Sequence, residues 1–168
     1  MRIIGIDPGL QRTGWGIIDV AGNKLTHIAH GVVATDAKAA TGERLARIFD
    51  GLTQMINLWQ PEDAAIEETF VNRNPASALK LGLARGVAML APAKAGLDVA
   101  EYPANLVKKS VVGAGHSEKE QVQAMIKVLL PGVEAASDAA DALAVAICHA
   151  HHAMTRVRVG GIMAGGVR

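Results

Sequence analysis

The chain has 168 residues and a net charge of +1, and half of its residues are hydrophobic. This length fits one ordinary domain that buries roughly two-thirds of its unfolded surface. The charge excludes a basic surface over the whole protein, although a local stripe of lysines and arginines would suffice to bind nucleic acid. A single cysteine, Cys148, excludes an intrachain disulfide. No signal peptide or membrane span is expected, so we predict a cytoplasmic location.

Three strands are predicted at the start of the chain. A run of β-branched residues, Arg2 to Ile6, ends at Asp7 and is followed by the turn Pro8-Gly9. A second run begins at Thr13 and a third covers Leu25 to Thr35, which predicts an antiparallel meander. Ionised carboxylates are rarely buried without a partner. Asp7 therefore either begins the turn, as aspartate does well, or faces a cation.

A strand–helix–strand unit follows the meander. Apolar residues at spacings of three and four from Leu45 to Trp59 predict a helix that ends at Pro61. The next strand, Asp63 to Glu68, again ends in carboxylates. Such a unit makes its two strands parallel neighbours. Glu67 is therefore predicted to project from the same end of the sheet as Asp7, where open α/β sheets place their sites.

The next segment combines a polar loop with a helix of small residues. The loop, Thr69 to Pro75, carries Phe70, which either tucks under the loop or offers a surface on which nucleic-acid bases stack. The helix, Ala76 to Ala95, contains Gly82 and Gly86. Two interior glycines cost about 1 kcal/mol each. Close packing must compensate for this, either against the sheet or against a twin helix of another subunit.

A fifth strand and a basic cluster come next. The strand is predicted over Leu97 to Tyr102, and a short helix over Pro103 to Val112. Lys108, Lys109 and Lys119 bracket a glycine-rich loop. These lysines form either a solvated face or a set of phosphate contacts aided by loop amides.

Two further helices complete the predicted elements. Ser117 and Glu120 predict a capping box at the start of the first. In the second, Asp138 and Asp141 share one face of an alanine-rich helix, where like charges repel unless a cation joins them. Asp138 also has a simpler reading, because a carboxylate in the first turn suits the helix dipole. Residues 155–168 are rich in glycine and arginine and are predicted to be a disordered basic tail.

Four carboxylates, Asp7, Glu67, Asp138 and Asp141, therefore form a candidate constellation. If they converge, the pocket carries a charge of about −4, which two divalent cations would neutralise. Ligation by oxygen alone favours Mg²⁺ or Mn²⁺ over zinc. Paired metals suit in-line displacement at phosphorus, because one activates water while the other stabilises the leaving oxygen.

The order of the elements matches the ribonuclease H-like fold. This is an α/β fold with a five-stranded mixed sheet, three antiparallel strands and then two parallel, and helices on both faces. We expect a single nuclease domain over residues 1–154, followed by the tail. Across residues 1–152 the chain resembles the RuvC family of bacterial Holliday junction resolvases. The segments that carry the resemblance are Ile4 to Gly9, Thr13-Gly14, Ala65 to Glu67, Ser77 to Gly82, Ala84 to Gly86, Val111 to Gly113, Glu118-Lys119 and Asp138 to Ala144.

The resemblance implies a homodimeric, Mg-dependent endonuclease of DNA recombination and repair. Such an enzyme resolves four-way DNA junctions by paired symmetric nicks that leave 5′-phosphate and 3′-hydroxyl ends, and works with the branch-migration proteins RuvA and RuvB. The four acids would be its catalytic and metal-binding residues, holding two Mg²⁺ ions per active site, with Mn²⁺ able to substitute. The helix from Ala76 would form much of the dimer interface.

The resemblance also implies roles in DNA binding. Phe70 matches a loop aromatic that stacks on bases at the junction, and Lys108 and Lys119 match basic residues near the scissile phosphate. Further positive charges expected to contact DNA are Arg73, Lys80 and Lys109.

Three other functions fit parts of the sequence. The run Gly5 to Gly9 also resembles the phosphate loop of actin-like and Hsp70-like ATPases, but those proteins have two lobes and a second phosphate loop. A small nuclease of the YqgF type, acting on ribosomal RNA precursors, would lack the helix pattern from Ser77 to Gly86. A non-catalytic junction-binding module would be expected to have lost a carboxylate, and all four are present.

Overall fold

The computed structural model describes residues 1–68, 74–114 and 118–153, together with the backbone of residues 154–164. Its five strands and five helices follow the order β1 (Arg2–Asp7), β2 (Arg12–Ala21), β3 (Lys24–Ala34), α1 (Thr41–Trp59), β4 (Asp63–Glu68), α2 (Pro75–Lys94), β5 (Val99–Pro103), α3 (Ala104–Val112), α4 (Lys119–Leu129) and α5 (Ser137–Ala164). Among the described residues, no helix combines the length and the hydropathy of a membrane span.

The strands form one mixed sheet in the order β3-β2-β1-β4-β5. The first three strands are antiparallel neighbours, and β4 lies parallel to both β1 and β5. This confirms the predicted five-stranded mixed sheet. The α1 crossover explains the parallel pairing, because a helix between two strands returns the chain to the same end of the sheet.

Each face of the sheet has its own hydrophobic core. On one face, Ile4, Ile6 and Ile66 pack with the buried stripe of α1 and with small residues of α2. On the other face, Ile3 and Ala65 pack beneath α5, with α3 and α4 beside it. The alternation follows from the strand period of two, so neighbouring residues on β1 and β4 serve opposite cores. Asp7 and Glu67 have the parity of the α5 face.

Helix ends are defined by recognisable local chemistry. The side chain of Asn74 accepts hydrogen bonds from the amides of Ala76 and Ser77, so α2 begins with Pro75 in its first turn. At α4 the capping box is formed by Glu118 and Gln121. The predicted box one residue earlier, with Ser117 as the cap, is therefore wrong. The reason is that a glutamate and a glutamine can exchange the same two backbone hydrogen bonds.

The C-terminal helix is longer than predicted. Helical backbone continues to Ala164 and thus covers most of the segment predicted as a disordered tail beyond residue 154. The physical reason is that no proline interrupts this stretch and that alanine, methionine and arginine favour helix. Ala150 is the last core residue among the side chains that the structure describes.

Candidate active site

Asp7 and Glu67 lie at the carboxyl ends of two adjacent parallel strands. Ile6 pairs with Ile66 across the β1–β4 ladder, so the two acids that follow are side by side. Both line one cavity on the α5 face of the sheet. Parallel strands place their carboxyl ends at the same edge, and this edge is where α/β sheets leave room for a ligand.

The N-terminal half of α5 rests directly on the backbone of the sheet. A β-carbon added at Gly14 would lie 2.0 Å from the carbonyl oxygen of Asp138, and one added at Gly5 would lie 2.2 Å from that of Ala142. Only glycine permits so close an approach of helix and strand. Because Gly14 is also the cross-strand partner of Asp7, this contact brings the first turn of α5 to the acids at the strand ends.

The cavity that results has a volume of about 210 Å³ and an acidic and a basic side. Its charged lining residues come from β1, β4, α3, α4 and α5. They are Asp7, Glu67, Lys108, Lys119 and Asp141, and the apolar walls are Ala104, Val107, Val122 and Ala144. Three of the four predicted acids therefore converge here, and Asp138 adjoins them one helical turn before Asp141.

Burial and mutual repulsion make the acidic side unfavourable for negative charge. Burial, and then the charges of Glu67, Asp141 and Asp138, raise the pKa of Asp7 from 3.8 to about 8. Burial and the charge of Asp141 raise the pKa of Glu67 from 4.5 to about 7, against the opposing effect of Lys108 and Lys119. Raised pKa values of this kind are typical of carboxylates that lack a compensating cation.

Basic side chains hold the other two acids. Lys119 Nζ donates a hydrogen bond of 2.7 Å to Asp141, and this bond raises the pKa of Lys119. Arg12 Nε donates one of 2.7 Å to Asp138 Oδ2. Within the part of the chain that the structure describes, no three His, Cys, Asp or Glu side chains are already arranged as a metal-binding set. These two ion pairs draw Asp138 and Asp141 toward cations of the protein itself.

The donor set nevertheless fits a hard divalent cation. All four acids offer carboxylate oxygens, which are the ligands that Mg²⁺ prefers. The raised pKa values of Asp7 and Glu67 show uncompensated negative charge at the point where a cation would bind. Rotation of two half-exposed ion-paired side chains would add the remaining oxygens.

The residues predicted to contact DNA are distributed unevenly around this cavity. Lys108 and Lys119 line it, whereas Lys109 and Lys80 are exposed on α3 and α2 and do not. Phe70 and Arg73 lie outside the described residues. The sequence analysis did not single out Arg12, although a basic residue five positions after a strand-end acid, across a tight turn, was an available signal.

Histidines of α5 lie away from the acids, as their spacing predicted. His149 is buried, and its Nδ1 lies 2.9 Å from the hydroxyl of Tyr102. Its Nε2 lies 3.4 Å from a carboxylate oxygen of Asp63, which begins β4 at the opposite end from Glu67. This polar chain stabilises the packing of α5 on the sheet and supplies no ligand to the cavity.

Comparison with known proteins gives one consistent family. The sequence model described as crossover junction endodeoxyribonuclease RuvC matches residues 3–149. A protein of that name from Paramagnetospirillum magneticum is 60% identical over 165 residues, which are 98% of this chain and 99% of the relative.

Solved structures show the same likeness. Thermus thermophilus RuvC in complex with a Holliday junction substrate has a TM-score of 0.86 at 35% identity, over 92% of this chain and 96% of that one. The yeast mitochondrial Holliday junction resolvase Ydc2 has a TM-score of 0.63 at 11% identity, over 93% of this chain and 82% of that one. The second likeness concerns the fold alone.

Proposed function

Because the chain belongs to the RuvC family of crossover junction endodeoxyribonucleases, we propose that its acidic cavity is where it cuts the strands of a four-way DNA junction. Membership of the family makes it a metal-dependent nuclease that resolves Holliday junctions in DNA recombination and repair. The observation that carries the proposal for the site is the convergence of strand-end and helix-borne carboxylates opposite two lysines in one cavity.

We assign catalytic and metal-binding roles to Asp7, Glu67, Asp138 and Asp141. The number of charges supports two Mg²⁺ ions per site, with Mn²⁺ as a substitute, because four carboxylates balance two divalent cations. When bound, such a pair supplies Lewis acidity to the scissile phosphate and activates water for in-line attack, leaving a 5′-phosphate and a 3′-hydroxyl.

The remaining residues of the cavity complete the proposed mechanism. Lys108 and Lys119 face the acids, where their charges would bind the phosphate oxygens and stabilise the negative charge that develops on them during attack. The apolar wall made by Val107 and Val122 limits water around the reacting group and strengthens these interactions. Phe70, Arg73, Lys80 and Lys109 are proposed to position the junction around the cavity.

A dimer built on α2 is the second part of the proposal. Ala84, Ala88 and Ala91 are buried beneath this helix, whereas Leu79 is 67% exposed and Leu90 is 48% exposed. A β-carbon added at either interior glycine of α2 would meet no atom of this chain within 4 Å. An exposed apolar helix face that includes glycines suits close contact with the same face of a second copy. Two such sites would give the paired symmetric nicks.

Further proposals concern the surroundings of the enzyme. We propose RuvA and RuvB as partners and the cytoplasm as its location, since the family's substrate is DNA. We also propose that residues 1–154 contain the complete nuclease domain. The burial of the core by Ala150 supports this boundary.

The decisive experiment compares synthetic four-way junction, linear duplex and RNA, each with and without Mg²⁺. We expect symmetric nicking of the junction alone, and only with Mg²⁺. Asp7→Asn should bind the junction and fail to cut it, whereas the exposed α1 variant Asp50→Asn, which removes the same charge outside the cavity, should cut normally. Full cutting by Asp7→Asn would refute the metal assignment, and preferential cutting of RNA would favour the YqgF-type function.

A further inference from the structure

Arg12 is the charged residue of the site whose role the proposed function leaves open. It is the first residue of β2, and its side chain is 49% exposed. Through Nε it donates a hydrogen bond of 2.7 Å to Oδ2 of Asp138. The guanidinium therefore occupies an oxygen of one of the four acids assigned to metal binding.

The backbone around Arg12 is fixed, although its side chain is free to rotate into water. The hydroxyl of Thr13 donates to the carbonyl of Gly9 at 2.8 Å and closes the turn. Next to it, Thr35 N donates to Gln11 O at 3.0 Å, and Arg12 pairs with Ala34 in the sheet. The ion pair with Asp138 can thus break by side-chain rotation alone, with no change in the fold.

We propose that Arg12 is a positioning residue that holds Asp138 in the metal-free site and competes with the divalent cation for it. The inference rests on the proposed function, because it takes Asp138 to be a metal ligand. Charge supports it: the guanidinium would lie a few ångströms from an incoming cation and repel it, while it occupies one of its ligand oxygens. A divalent cation binds with full strength only after Arg12 has turned away.

The environment of Arg12 makes this competition different from that of Lys119. Lys119 lines the cavity beside Asp141 and faces the place of the phosphate. Arg12 comes from the opposite side, through the β1–β2 turn, and does not line the cavity. Its removal should therefore change metal binding while the lysines that face the phosphate stay in place.

Titration of the DNA-free protein with Mn²⁺, followed by the loss of the free-ion electron paramagnetic resonance signal, tests the inference. For Arg12→Gln we expect tighter Mn²⁺ binding by about three- to tenfold, the effect of removing one charge a few ångströms from a divalent cation in a water-rich site. Arg12→Lys should stay close to wild type, because the positive charge is kept. In cleavage assays, Arg12→Gln should reach half of its maximal rate at a lower Mg²⁺ concentration.

The control is Arg47→Gln, which removes the same charge from an exposed position on α1. It should leave Mn²⁺ affinity unchanged and so exclude an effect of net charge. Unchanged or weaker Mn²⁺ binding by Arg12→Gln would overturn the inference, the latter because it would mean that Arg12 orients Asp138 for the metal. Absence of Mn²⁺ binding by the wild type would instead overturn the proposed function, and the inference with it.

Discussion

Replacing Asp7 by asparagine should stabilise the metal-free protein while it destroys the nuclease. The raised pKa of Asp7, about 8 against an ordinary value of 3.8, means that the fold binds this proton more tightly than the unfolded chain does. The stability that this group contributes is fully present below about pH 4 and is lost as the pH rises toward about 8. Asparagine keeps the shape of the side chain and has no such loss.

The magnitude follows from the pKa difference. At about 1.4 kcal/mol per pKa unit, ionisation of Asp7 in the fold costs about 4 kcal/mol near pH 7 and about 2 kcal/mol near pH 5. A domain of this length gains about 2–4 °C in Tm for each kcal/mol. The Tm advantage of Asp7→Asn over the wild type should therefore be larger near pH 7 than near pH 5 by roughly 5 °C.

Thermal unfolding with a chelator, followed by circular dichroism at both pH values, measures this advantage. Asp50→Asn is the matched control, since it makes the same substitution at an exposed position of α1. Addition of Mg²⁺ should raise the Tm of the wild type and narrow the difference, because the cation compensates the charge that asparagine lacks. A Tm advantage that does not depend on pH, or a loss of stability near pH 7, would refute the electrostatic reasoning.

Two further substitutions separate the scaffold of the site from its chemistry. Gly14→Ala should force α5 away from β2, cost about 1–3 kcal/mol of unfolding free energy and abolish cleavage, whereas Gly42→Ala, whose β-carbon would meet no atom within 4 Å, should cut normally; chemical denaturation and junction cleavage check both, and an active Gly14→Ala variant would contradict the role of the close contact. Lys108→Ala should slow single-turnover cleavage more than it weakens junction binding, while Lys109→Ala on the exposed side of α3 should affect binding alone; equal losses of rate and affinity in Lys108→Ala would reduce Lys108 to a phosphate anchor.

The sheet could be predicted from the sequence because its signals are local. Each strand is a short apolar run with a clear end, and the helix between β1 and β4 fixes their parallel pairing. The predicted edge shared by Asp7 and Glu67 follows from that pairing alone. The last helix could be predicted as an element too, since Asp138 and Asp141 mark one face of an apolar stretch.

The seat of the last helix on the sheet could not be predicted in the same way. It depends on a main-chain contact between Gly14 and Asp138, which are more than a hundred positions apart, and glycine in a strand reads locally as a weak point. The ion pair of Arg12 escaped for the same reason, because its partner becomes a neighbour only after α5 has docked. The capping box at Glu118 was misplaced by one residue, since Glu-Gln and Ser-Glu pairs both satisfy the motif.

The contact between Gly14 and α5 also limits how this site can change. Side chains that separate two elements can be exchanged for larger or smaller ones, so the distance between the elements can be adjusted in both directions. Here no side chain separates strand and helix, and main-chain atoms already meet at their van der Waals radii. Any substitution at Gly14 can only push Asp138 farther from Asp7. The spacing of these two acids is therefore at its minimum, and mutation at this position can widen the site but never tighten it.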